Sequence, residues 1–222
     1  YAEYHGITKE IKEEKSNIFS LLVKAPKAFW TVGLVQFFCW AAFMFMWTYT
    51  NGTVAAGVFN TPSVEVIKDG ISHMVGILFA VQAVGSVLWA MALPLFKSRK
   101  FAYALSLILG GIGFISTMFI HDQYALFVSF LLIGCAWAAM LALPFTILTN
   151  ALTGGHMGTY LGLFNCTICV PQIVAAVAGG WILRMFTTPG SIPPEVNMLV
   201  LAGVLLIAGA LCVGIIKEKE TI

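Results

Sequence analysis

Two carboxamides flank a proline in the stretch YLGLFNCTICVPQIVAA, Tyr160 to Ala176. Asn165 and Gln172 are almost two helical turns apart, so on a helix they share a face with Gly179, and Ile168, Cys169 and Ala176 fill the same stripe. A carboxamide donates and accepts hydrogen bonds without net charge, which suits recognition of hydroxyl groups. Gln36, Trp40, Phe43, Trp47 and Thr50 or Asn51 follow helical spacing in the same way. Aromatic rings stack on pyranose faces while amides bind hydroxyls, so this set points to a sugar. Gln82, Ser86 and Trp89 form a shorter polar and aromatic stripe, with His73 on the opposite face near the outer end. Pro171 removes one backbone hydrogen bond, which predicts a kink and a freed carbonyl at the depth where carriers bind substrate. The competing expectation is structural. Asn and Gln also bond between packed helices, and Trp, Trp47 above all, also belongs in interfacial belts.

The missing groups narrow the chemistry. All ten acidic residues (Glu3, Glu10, Glu13, Glu14, Glu65, Asp69, Asp122, Glu195, Glu218, Glu220) fall outside the apolar segments, no Lys falls inside one, and Arg184 lies near an end. Proton relays and cation sites need an ionisable group within the bilayer, so a coupling residue is not expected in this chain. Paired carboxylates, a nucleophile elbow and an HExxH motif are all missing, which argues against an enzyme. Cys39, Cys135, Cys166, Cys169 and Cys212 lie in apolar surroundings and read as small hydrophobes; the Cys166-x-x-Cys169 spacing has no second pair or nearby His to make a metal site. No metal and no cofactor are expected. His156, beside two glycines, reads as solvated.

The elements that must position these residues are membrane helices. Hydrophobic residues make up 59% of the chain and charged ones 10%, against roughly a quarter charged in soluble domains, and mean hydropathy is +0.92. A net charge of +2 without a basic run argues against nucleic acid and leaves the lipid bilayer as the expected surroundings. Six segments are long enough to span: Ala28–Thr50, His73–Phe96, Phe101–Ile120, Tyr124–Leu148, Tyr160–Met185 and Met198–Ile216. The third and fourth are joined by a hairpin at His121–Gln123. With six spans both ends share one side, which carries ten of the Lys and Arg residues; Lys68 and Arg184 alone lie opposite. Both termini are therefore expected to be cytoplasmic.

This gives an all-α membrane protein, a six-helix bundle over 28–216, with a cytoplasmic connector over 1–27 and a cytoplasmic tail over 217–222. The connector is expected to carry an amphipathic helix ending near Pro26. Residues 51–72 read as the longest external loop. The glycine-rich stretches LILGGIGF and VAGGWIL read as close-packing surfaces.

The stretch Gly162–Gln172, GLFNCTICVPQ, resembles the Gly-x-x-Asn-x-x-Ile-x-x-Pro-Gln pattern in the eleventh helix of sucrose-type and related glycoside–cation symporters. LPFTIL, Leu143 to Leu148, is similar to the Pro-Phe segment closing their tenth helix, and KSRK is similar to a degenerate form of their basic loop between helices eight and nine. The resemblance implies the C-terminal half of a major facilitator fold. It implies sugar or glycoside uptake by alternating access, with a coupling cation (proton or sodium) bound through an N-terminal half that this sequence lacks. The site expected on this basis comprises Gln36, Trp40, Phe43, Trp47, Gln82, Trp89, Asn165 and Gln172, with Pro171 and Pro144 as hinges and Lys97, Arg99 and Lys100 in the cytoplasmic loop. The expected location is the bacterial inner membrane. Sucrose-type members often carry charge at the outer end of helix seven, where this chain has WTYTNGT, so sucrose itself is not the expected substrate. An exporter of another solute class and a non-transporting scaffold are the alternatives.

Overall fold

The computed structural model describes residues 18–61, 68–152, 157–189 and 194–216. The connector before residue 18, the tail after 216 and His156 lie outside the described residues. The described chain is helical: α1 Ile18–Val23, α2 Lys27–Gly57, α3 Lys68–Ala92, α4 Arg99–Ser116, α5 Leu126–Ala151, α6 Met157–Phe164, α7 Cys166–Phe186 and α8 Val196–Val213, with a 3₁₀ turn at Leu93–Leu95. Taking α6 and α7 as one span, six helical stretches are long and apolar enough to cross a bilayer. The chain is a multi-pass membrane protein.

α2 is the hub. It packs most extensively on α8, then on α7, and more lightly on α5 and α3, while α4 joins α5 to α8. Val32, Val35, Cys39, Ala42, Phe43 and Met46 of α2 are fully enclosed. At 31 residues α2 is about 46 Å long, well beyond the roughly 30 Å of hydrocarbon. Its last turns, Asn51–Gly57, lie in the stretch expected to be loop. Val54 and Ala55 are buried there and the Thr53 hydroxyl donates to Tyr49 O at 2.9 Å, so packing carries the helix past its Asn and Gly. α3 likewise starts at Lys68, five residues ahead of expectation. Asn60, with φ of 49°, turns the chain after α2.

The hairpin between the third and fourth spans is wider than His121–Gln123. α4 stops at Ser116 and α5 starts at Leu126. Asp122 Oδ1 accepts from the Tyr124 and Ala125 N–H groups at 2.9 and 2.8 Å, which holds the approach to α5 outside the helix.

Glycine sets the closest crossings. A Cβ on Gly111 would lie 2.9 Å from Gly203 O, and one on Gly203 2.7 Å from Gly111 O, so α4 and α8 meet backbone to backbone. Gly134 packs on Gln82 O in the same manner, and Ser86 Oγ donates to Gly134 O at 3.0 Å. Small residues permit such approaches in a bilayer, where the hydrophobic effect supplies no drive between helices.

Candidate functional site

The aromatic residues of α2 meet α5. Trp40 and Trp47 have ring centroids 6.5 Å apart, and Trp137 of α5 lies 5.9 Å from Trp40, 4.9 Å from Phe43 and 5.7 Å from Trp47. Phe43 is fully enclosed and also packs edge-on against Phe114 of α4 at 5.8 Å. Trp47 is 39% exposed, so one side of the cluster faces outward. Trp40 is 7% exposed, and its Nε1–H is buried with no hydrogen-bond partner. A buried donor left unpaired costs about 1–3 kcal/mol. Trp137 was not legible as a site residue, since no amide accompanies it in its span; an isolated indole among Cys135, Ala136, Ala138 and Ala139 was the available signal.

The carboxamides differ in their surroundings. Gln36 is fully enclosed between α2, α4 and α5. Its Nε2 donates to Met140 O at 3.3 Å, and the Tyr103 hydroxyl donates to its Oε1 at 3.5 Å. The reason lies in α5. Pro144 has no N–H to give the carbonyl four residues earlier, which is Met140 O. Gln36 supplies that donor from the neighbouring helix, and α5 runs unbroken through Pro144. Gln36 is thus enclosed between helices, where its side chain supplies the hydrogen bond that Pro144 denies to Met140 O. Trp89 is also engaged, its Nε1 donating to Ser106 Oγ of α4 at 2.8 Å. Gln82 is 8% exposed at the α3–α5 crossing, and His73 is exposed.

Asn165 and Gln172 stand differently. Asn165 is exposed and Gln172 half-buried, on the span with the least burial. Its main long-range partner is α2, where Thr167 lies beside Gly33 and Gly179 beside Tyr49. The helix is interrupted at Asn165, ahead of Pro171. The Asn165 N–H bonds to Gly162 O at 3.2 Å and the Ile168 N–H to Asn165 O at 3.0 Å, both with the tighter 3₁₀ spacing. The Thr167 hydroxyl takes up Phe164 O at 2.6 Å. Pro171 contributes by crowding the Thr167 carbonyl and offering it no N–H.

At the basic end, Ser98 caps α4 by accepting from the Phe101 N–H at 3.2 Å. Lys97 and Arg99 are exposed, and Lys100 Nζ donates to Gly214 O at 3.3 Å, tying this loop to the end of α8. At the opposite end Glu195 is half-buried. Burial holds its carboxyl above the usual glutamate range, a backbone hydrogen bond from Gly52 pulling less strongly the other way. In the sequence Glu195 falls, with the other nine acidic residues, outside the apolar segments. Among the described residues no cluster of His, Cys, Asp or Glu could hold a metal ion. Compared with family models, curated proteins and solved structures, the chain matches none.

Proposed function

We propose that this chain forms one half of a membrane carrier for a sugar or glycoside, a symporter of the major facilitator type. The observation that carries the reading is the unpartnered Trp40 N–H within the Trp40–Trp47–Trp137 cluster. Opening of the cluster to a sugar stacked against Trp47 would bring a hydroxyl to that donor and relieve the cost of burying it. The exposed Asn165 and half-buried Gln172, beside an interrupted helix, suit a surface that a second six-helix half would enclose. On this reading the other half supplies the coupling cation's ligand, the termini are cytoplasmic, the membrane is the bacterial inner membrane, and the chain has no enzymatic role. The clustering of Lys and Arg toward the ends that include Lys97–Lys100 supports the orientation.

One set of observations favours a non-transporting scaffold instead: Gln36, Ser86 and Trp89 all spend their polar groups between helices. Uptake of a panel of radiolabelled mono- and disaccharides into proteoliposomes containing the complete protein separates the two. We expect uptake of at least one sugar. Trp40→Phe, which keeps the ring and removes the N–H, should weaken it by about tenfold, the equivalent of one charge-free hydrogen bond of ~1.4 kcal/mol. No uptake of any sugar by correctly inserted protein contradicts the reading.

A further inference from the structure

A separate feature lies at the end of the bundle away from Lys97–Lys100. A cavity of about 190 Å³ opens between the ends of α2, α4 and α8, lined by Thr53, Thr117, His121 and Glu195 among apolar walls that include Val58 and Ile120. Its volume is below that of pockets for drug-sized ligands, roughly 300 Å³ and upward, so its occupant has few heavy atoms.

The polar lining is matched to a hydrogen-bond donor. The Thr53 hydroxyl spends its proton on Tyr49 O at 2.9 Å, and the Thr117 hydroxyl spends its own on Phe114 O at 2.7 Å. Both oxygens are left with lone pairs alone. Glu195 adds a carboxylate that packs on the Gly52 backbone, where a Cβ would collide with it. Glu195 makes no salt bridge among the described residues. The titratable groups near it are Tyr49 of α2, within electrostatic reach, and the exposed His121, which lines the same cavity. A half-buried carboxylate without a counter-charge is costly, and a cation removes that cost. The walls are mostly apolar, which suits a cation that carries a carbon body.

We propose that this cavity binds a small alkylammonium ion, its NH₃⁺ group held by the Glu195 carboxylate and the Thr53 and Thr117 hydroxyl oxygens, its carbon body against Val58 and Ile120. The site is independent of the sugar reading, since it shares no residue with the aromatic cluster. Binding requires ionised Glu195, whose proton is retained above the usual glutamate range, so affinity rises with pH across that range.

The test is calorimetric titration of the full chain in detergent with ethylammonium chloride at pH 8 and pH 5, with sodium chloride as the control salt. The expected result is saturable binding at pH 8, weaker binding at pH 5, and weakening by about tenfold or more in Glu195→Gln at pH 8. Thr53→Val, nearly isosteric, guards against a folding defect in Glu195→Gln and should weaken binding by about fivefold. Absence of binding by the wild-type chain at pH 8, equal response to sodium chloride, or unchanged affinity in a folded Glu195→Gln variant would each overturn the proposal.

Discussion

Gln36 and Pro144 stand 108 positions apart in the chain yet solve one problem, the Met140 carbonyl that a proline leaves without its helical donor. A double-mutant cycle measures this directly. Gln36→Leu strands the carbonyl and leaves the Tyr103 hydroxyl only the Cys39 thiol as partner, and should destabilise the folded bundle by about 1–2 kcal/mol in an SDS-unfolding titration. In a Pro144→Ala background, where an N–H is restored to the carbonyl, the same change should cost about half as much. Equal costs in the two backgrounds would show that the amide and the proline are uncoupled. Glu195 carries the pH-dependent expectation. Its folded pKa lies above its unfolded one, so its contribution is fully present below the ordinary glutamate range and is lost as pH rises through the raised value. Melting temperature should therefore fall across that window in wild type and stay flatter in Glu195→Gln.

At the scale of elements, the sixfold pattern of apolar segments was legible because a membrane span needs about 20 apolar residues and little else. The ends were not, for reasons visible in particular helices. α2 continues through Asn51 and Gly52 because Val54 and Ala55 find neighbours, which no local propensity announces. Pro171 did announce trouble in the fifth span, but the position of the break follows from where the hydrogen bonds can be remade. Thr167 and Asn165 offer that repair several residues upstream. If Pro171 is the origin, Pro171→Ala should return a donor to Thr167 O and slow amide exchange around Asn165–Ile168. A gain of about 1 kcal/mol in local stability corresponds to about fivefold slower exchange. Unchanged exchange would place the cause elsewhere. The site was half legible by the same logic. Helical spacing correctly aligned Trp40, Phe43 and Trp47 along one helix, whereas Trp137, Met140 and Tyr103 come from other helices and enter only through tertiary packing.

For the whole molecule, the crossings at Gly134 and at Gly111 with Gly203 decide how closely the helices approach. Gly134→Ala drives a methyl group into Gln82 O and the Ser86 N–H, and should cost about 1–3 kcal/mol of bundle stability. Gly76→Ala, which meets nothing within 4 Å, should instead be neutral or gain up to about 1 kcal/mol through helix propensity. Burial is distributed unevenly: α2 and α5 are enclosed, while α3 and α7 leave much of their surface uncovered. Lipid covers apolar surface of that kind without cost, but an uncovered Asn165 needs water or a polar partner. Carriage of a sugar requires that the face bearing Asn165 and Gln172 be wetted in the assembled protein and occupied by substrate in turn. The most direct measurement is labelling of single cysteines at positions 165 and 172, in a chain otherwise free of cysteine, with a membrane-impermeant maleimide, with and without a transported sugar. Both positions should label, and sugar should slow the reaction by about fivefold or more, as expected when a ligand occupies most of its sites. Failure of both positions to label, or labelling indifferent to every sugar tested, would contradict the account.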